Sequence, residues 1–372
     1  MNKHLNAMLM GITKKLQLSP SLYDQASERY KTIAGIIQDD DAFNHIRLHI
    51  YPHGSFRLKT TVKPFGGDEY DLDFVAELPM GTTMMPQELY DHIYRILSQD
   101  GVHNDMIEKK SRCIRVNYAN DFHLDIMPGK LVNPMTKEII VPDRGLSNWI
   151  HKSNPIGFAE WFENQAKTHI VAELNEIRKS VYNAEKVSDQ EIAEHLEPLR
   201  RAVQLVKRYR DVYCDRYRTE PVRSIVICTL MGSIARFTGA TMQIILSFCD
   251  YVNGLIEQHN NQPFEIHNPI LQDEILTEKW FEGNNFRDFV SMMKALTEDA
   301  QKLSRCGYNS DINQLLKSMF GETLTDTVIK ELSVPVGEAR KSGNLSIDPS
   351  GRIQTNQQGI PVKKNTFYGD AD

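Results

Sequence analysis

A chain of 372 residues with 41% apolar and 25% charged side chains has the material for a soluble protein of two domains, or of one large two-lobed domain, with a substantial core. A formal charge of -6 excludes an obligatory grip on long nucleic acid, which needs a strongly basic face. The five cysteines (Cys113, Cys214, Cys228, Cys249 and Cys306) are scattered without a C-x-x-C pair, which excludes a zinc ribbon and a disulfide framework.

At the N-terminus, MNKHLNAMLMGITKKLQL offers only a short apolar run before Lys14 and Lys15, so no secretory signal is expected. Nowhere do 18 apolar residues run together to span a bilayer, and a reducing cytoplasm fits the cysteine usage. After Ser19-Pro20, the recurrence of Leu22, Ala26, Tyr30, Ile33 and Ile37 predicts a helix. Extended runs follow at His49–Pro52, Tyr70–Leu78, Arg112–Tyr118 and Phe122–Met127, with an amphipathic helix over Gln87–Leu97. From about Gly157 the pattern turns helical: Phe158–Ala184, Leu196–Tyr217, Ser224–Phe237, Met242–His259, Phe286–Leu303 and Ile312–Phe320. From about Pro335 the chain is polar and aperiodic, and reads as a flexible tail with apolar clusters at Ile360-Pro-Val and Phe367-Tyr368. The expected organisation is a mixed α/β lobe over residues 1–156, a helical lobe over 157–334 and a tail over 335–372. No internal repeat is present.

The most informative stretch is HGSFRLKTTVKPFGGDEYDLDFVAEL. Glu69, Asp71 and Asp73 alternate with Tyr70, Leu72 and Phe74, so on a strand the three acids share one face. Asp71 and Asp73 then stand roughly 6–7 Å apart, a crowding of like charge that hard divalent cations relieve. The competing reading is a solvated strand face, and Glu69 reads as a turn or edge residue. A third acid, Asp125, lies between Leu124 and Ile126 in HLDIMPG, where a carboxylate is costly without a partner. A two-ion site would supply one, with the ions about 3.5–4 Å apart.

Gly54-Ser55 follows the β-like HIYP directly. Glycine lets backbone N–H groups approach a phosphate and serine adds a donor, although Gly-Ser alone is most often a turn. In order and spacing, HGSF, EYDLDF and HLDIMPG resemble the polymerase-β-like nucleotidyltransferase pattern, and most of all the cGAS/DncV-like nucleotidyltransferases of bacterial anti-phage (CBASS) operons. His53 departs from the Gln of many members. LRRAVQLVKRYRDVYC and EPVRSIVICTL resemble the paired helices that carry a phosphate-binding Lys and Ser, here Lys207 and Ser224; the competing reading makes Lys207, Arg208 and Arg210 a solvated face. IHNPILQDEILTEKWFEG resembles the Asn-Pro segment of oligoadenylate-synthetase-like helical domains.

The resemblance implies an α+β fold, with a polymerase-β-like core on a mixed β-sheet and a helical lobe of the oligoadenylate-synthetase type. It implies two Mg²⁺ ions, with Mn²⁺ as substitute, held by Asp71, Asp73 and Asp125. ATP and other NTPs would bind on Gly54, Ser55, Lys207 and Ser224 and be joined into a cyclic di- or trinucleotide. It also implies an accessory regulatory protein on the C-terminal tail. The alternatives are a linear oligoadenylate or RNA-end nucleotidyltransferase, a protein-AMP transferase and a non-catalytic nucleotide sensor. Tyr209, Tyr213 and Tyr217 recur at helical spacing and receive no functional role.

Overall fold

The computed structural model describes residues 3–18, 20–66, 69–118, 122–146, 150–167, 196–234, 240–347, 353–355 and 359–362. The part of the expected Phe158–Ala184 helix beyond residue 167, the end of the Ser224–Phe237 helix at Phe237 and the Phe367-Tyr368 pair lie outside the described residues. Contacts gather the chain into two compact units, Leu16–Arg305 and Met1–Lys15 with Cys306–Asp372.

The larger unit is built on a mixed sheet. Its strands are β1 (His49–His53), β2 (Tyr70–Leu78), β3 (Ile107–Lys109), β4 (Ile114–Tyr118), β5 (Phe122–Asn133), β6 (Glu138–Val141) and β7 (His151–Ser153). The order is β1-β2-β5-β4-β3, with β6 also paired to β5 and β7 to β6. Only β2 and β5 run parallel, in a register that sets Asp73 against Asp125. Leu72, Phe74, Ala76 and Leu78 of β2 join Ile114, Val116, Leu124 and Ile126 in one apolar face. That face packs on Ala26, Ile33 and Ile37 of helix α2 (Pro20–Gln38) and on Leu89, Ile93 and Leu97 of α4 (Pro86–Gln99). The period-2 alternation of β2 thus leaves Asp71 and Asp73 on the opposite face. Helix α4 starts where Pro86 fixes φ and Glu88 accepts the Met85 N–H at 2.7 Å.

Past a four-residue helix α3 (Gly54–Arg57), the rest of this unit is mainly helical: α5 (155–167), α6 (Pro198–Tyr217), α7 (Ser224–Ser233), α8 (Thr241–Gln258) and α9 (Asn285–Arg305). Helix α6 is buried on nearly all sides in its first three turns, and its polar stripe is buried as well. Arg200, Gln204, Lys207 and Arg208 recur at helical spacing and all donate to carbonyl oxygens of residues 58–63. Arg200 reaches Leu58 O, Gln204 reaches Thr61 O at 2.9 Å, Lys207 reaches Thr60 O at 2.9 Å and Arg208 reaches Lys63 O at 3.2 Å. The solvated-face reading of this stripe fails because a strandless backbone segment, 58–63, lies along it and needs donors.

In the smaller unit, α1 (Lys3–Leu16) buries Leu5, Met8 and Ile12, and His4 Nε2 lies 2.9 Å from Asn313 Oδ1 of α10 (Asn309–Phe320). Helix α11 (Glu322–Lys341) carries Pro335 inside it and leads to a small sheet of order β10-β8-β9, formed by Ile360–Pro361, Ser346–Ile347 and Ile353–Gln354.

The clasp predicts a stability effect. Gln204→Met keeps volume but orphans the Thr61 carbonyl, so urea denaturation should show a loss of about 1–3 kcal/mol. An unchanged midpoint would mean that the 58–63 segment is held by other means.

Candidate active site

Register brings the acids together. His53 pairs with Asp73 across β1–β2, Asp73 with Asp125 across β2–β5, and Arg115 with Asp125 across β4–β5. All four line one cavity of about 810 Å³ within the larger unit. Every site residue expected from the sequence lines it too: Gly54 and Ser55 after β1, Asp71 and Asp73 on β2, Asp125 on β5, Lys207 on α6 and Ser224 at the first position of α7.

The Gly-Ser turn is sterically coupled to the acids. Gly54 has φ +57°, and a Cβ added there would meet Asp73 Oδ2 at 2.1 Å. Only glycine fits both the backbone angle and the carboxylate beside it. Ser55 begins the turn back, with its carbonyl accepting from Thr60 N at 2.9 Å.

Burial and the carboxylates of Asp125 and Asp71 push the Asp73 carboxyl up to about 7. Burial also raises Asp71, against the pull of Arg115. Arg115, which the sequence reading passed over, is the cation nearest the acids. Its Nε and Nη2 donate to Asp125 Oδ1 and Oδ2 at 2.7 Å each, and Nη2 also reaches Asp71 Oδ1 at 3.0 Å. The signal was present in the alternation of Ile114, Arg115 and Val116, which puts Arg115 on the face opposite the core once β4 is set beside β5. Glu69, read as an edge residue, pairs with His123 at 3.1 Å and also lines the cavity. His53 is held down to about 4 by burial, against the nearby carboxylates of Asp125 and Glu274, so its ring is neutral near pH 7.

Across the cavity, burial lowers Lys207, whose ammonium is also influenced by the Asp73 carboxylate. Ser224 Oγ accepts from Arg210 Nη1 at 3.0 Å, so Arg210 faces the cavity rather than forming part of a solvated helix face.

The donor set suits a hard divalent cation. Three carboxylates line one wall, one so buried and so close to the other two that it holds its proton to near neutrality, and oxygen-only sites bind Mg²⁺ with waters and substrate phosphates completing the shell. Among the described residues, no three His, Cys, Asp or Glu side chains are gathered closely enough to hold a metal without rearrangement. The Arg115 fork holds both Asp125 oxygens, so a cation there must share them or displace the guanidinium.

Residues 4–166 match the Second Messenger Oligonucleotide or Dinucleotide Synthetase domain. Along its length the chain is 29% identical over 373 residues to a c-di-GMP synthase of Roseivirga ehrenbergii, covering 98% of this chain and 97% of that one. It is 25% identical over 372 residues to the cyclic dinucleotide synthase CdnG of Bradyrhizobium diazoefficiens, covering 94% and 88%. The structure of that CdnG in complex with GTP shares the fold, with a TM-score of 0.72 at 22% identity over 88% of this chain and 99% of that chain. Among the described residues, no helix is long and apolar enough to cross a membrane.

Two measurements check the geometry. The folded-state value of Asp73 lies above the unfolded value of about 3.9, so its contribution to stability is complete below pH 4 and disappears as pH rises through about 7. In EDTA, urea denaturation should therefore show wild type losing stability between pH 4 and 7 by up to about 1.4 kcal/mol per pH unit more than Asp73→Asn. Gly54→Ala should cost more than the roughly 1–2 kcal/mol of left-handed strain. In an Asp73→Ala background that excess should vanish, which a double-mutant cycle reads directly.

Proposed function

We propose that the chain is a cGAS/DncV-like nucleotidyltransferase that joins two purine nucleoside triphosphates into a cyclic dinucleotide signal for anti-phage defence. The convergence of Asp71, Asp73 and Asp125 on the cavity wall beside the Gly54 turn carries this reading. The names of the two relatives, a c-di-GMP synthase and a cyclic dinucleotide synthase, favour a dinucleotide ring and GTP as a substrate; ATP is the other candidate donor.

In the proposed reaction, the 3′-hydroxyl oxygen of one nucleotide attacks the α-phosphorus of the other. A P–O bond forms, the bond to the β-phosphate bridge breaks, pyrophosphate leaves and the hydroxyl proton is lost. Repeating the step with the 3′-hydroxyl and triphosphate of the linear intermediate closes the ring. Asp71, Asp73 and Asp125 would hold two Mg²⁺ ions, or Mn²⁺ in their place. Bound there, such ions lower the pKa of the attacking hydroxyl and neutralise charge on the leaving pyrophosphate. The protein's own groups position the substrate. The Gly54-Ser55 turn lets backbone N–H groups approach the phosphates, Lys207 brings a buried ammonium to them and Ser224 adds a hydroxyl. Lys207 keeps its place because Thr60 O fixes its Nζ, so little ordering is left to be done when a triphosphate arrives.

Within this reading, the lobe of residues 1–156 supplies the acids and the turn, and the helical lobe of residues 157–334 supplies Lys207 and Ser224. The C-terminal segment 335–372 docks an accessory protein, a role supported by the exposed Ile360 and Val362.

Purified protein, labelled GTP and ATP, and Mg²⁺ or Mn²⁺ should yield a phosphatase-resistant product whose mass is that of a cyclic dinucleotide. Asp71→Asn/Asp73→Asn should lower its rate at least about a thousandfold, the equivalent of several kcal/mol. A phosphatase-sensitive ladder would replace this reading with linear synthesis, and an equally active double variant would remove the acids from the mechanism.

A further inference from the structure

The Asn-Pro segment forms one wall of the cavity through Asn268, Glu274 and Leu276. Residues 266–276 fold into a pinned hairpin. Asn268 N donates to Glu274 O at 2.9 Å, Leu276 N donates to Ile266 O at 2.7 Å, and His267 bridges to Ile275. The hairpin presents Glu274 to the cavity with its carboxylate half fixed: buried Asn268 donates from Nδ2 to Oε2 at 2.7 Å. The other oxygen, Oε1, has His151 Nε2 at 3.6 Å, beyond hydrogen-bond distance, so its acceptor positions are not taken by that ring. Arg223, the residue before α7, also lines the cavity and is tied to the same hairpin, with Nη2 donating to Leu276 O at 2.5 Å. The same Nη2 holds the hairpin and lies 3.9 Å from Glu278 Oε2, which leaves Nε and Nη1 of the fork as donors toward the cavity.

A carboxylate and a guanidinium lining the same cavity and tied to one hairpin are a chemical complement to one base. Guanine offers two adjacent donors, N1–H and the 2-amino group, and two adjacent acceptors, O6 and N7. Adenine offers an acceptor at N1 and a donor at N6, which both side chains oppose. Arginine pairs with guanine O6 and N7 wherever the two meet with open geometry. Sites built to hydrogen-bond particular groups reject analogues that lack them, because the buried partners are left unpaired.

We propose that Glu274 and Arg223 form a guanine-reading pair, the carboxylate accepting from N1–H and the 2-amino group and the guanidinium donating to O6 and N7 of a bound GTP. This rests on the reading of the cavity as a nucleoside triphosphate site. Asn268 is a positioning residue, since it sets the carboxylate without touching the base. Neither Glu274 nor Arg223 is among the groups assigned to the phosphates or the metal ions.

The test is equilibrium binding of the α,β-methylene triphosphates of guanosine, inosine, xanthosine and adenosine, which do not turn over. Wild type should prefer guanosine to inosine, which lacks the 2-amino group, by roughly 10-fold or more, the value of one hydrogen bond to a charged acceptor. Glu274→Gln exchanges an acceptor for a donor, and xanthine exchanges the 2-amino donor for a carbonyl. This variant should therefore lose guanosine and gain xanthosine until the order reverses, a gain that mere structural damage would not produce. Arg223→Gln is the independent arm: it should weaken guanosine, inosine and xanthosine alike and not weaken adenosine, whose N6 donor loses an opposing cation. Equal wild-type affinity for guanosine and inosine would overturn the proposal, as would a Glu274→Gln protein that keeps the guanosine preference or weakens all four ligands together. If wild type binds none of the four, the nucleotide reading of the cavity itself fails, a different outcome from loss of base preference.

Discussion

The structure depends first on the clasp between helix α6 and the backbone of residues 58–63. Burying guanidinium and ammonium groups is expensive, and the cost is offset only when their donors meet well-placed acceptors. Here the acceptors are main-chain carbonyls, which need donors of their own because the segment belongs to no sheet. Each side satisfies the other, and the result joins the strand end that carries Gly54-Ser55 to the helix that carries Lys207. Since the carbonyls are neutral, the cationic charge of the stripe is not cancelled where it binds. Arg200 is answered separately by Glu197 at 2.7 Å, whereas Lys207 lines the cavity with the acids.

Those acids define the second constraint. Asp71, Asp73 and Asp125 are driven onto one wall by strand alternation and by the parallel β2–β5 register, with no freedom for any one of them to turn to the other face. Arg115 answers part of the charge, yet Asp73 still titrates near neutrality. A sequence optimised for stability alone would not keep three carboxylates there, and such local conflict is what the proposed active site accounts for. The same conflict explains the Gly54 turn: Asp73 Oδ2 occupies the space a Cβ would need, so the weakest motif in the sequence becomes one of the most tightly determined positions in the fold.

How much of this was legible varied with the range of the interaction. Strand β2 matched its expected span, Tyr70–Leu78, because its alternation and its turn boundaries are local signals. Helices α2, α4 and α8–α10 were expected to within a few residues for the same reason. The expected acids, turn, Lys207 and Ser224 do line one cavity. Arg115 was not legible, because its role depends on which residue of β5 stands opposite it, and register between strands is not written in either strand alone. The burial of Arg200, Gln204 and Arg208 was hidden likewise, since polarity at helical spacing reads as a wet face until a backbone is laid along it. Helix α11 continues through Pro335 to Lys341, where local polarity and the proline pointed to the beginning of a tail.

Glu274 illustrates the limit from the other direction. In sequence it is one acid among 49 Asp and Glu residues, in a segment with neither strand nor helix periodicity. Its position depends on three non-local facts: the hairpin closes, Asn268 is buried beneath it, and Arg223 arrives from the helix that also supplies Ser224. In the proposed reaction, the wall of acids must stay the same for any nucleotide, because phosphoryl chemistry is common to all of them. A base-facing wall needs only a stable hairpin on which a donor or acceptor can be exchanged. On that division of labour, the first wall is the more readable from sequence, and the second is where members sharing this fold have room to differ in the signal they make.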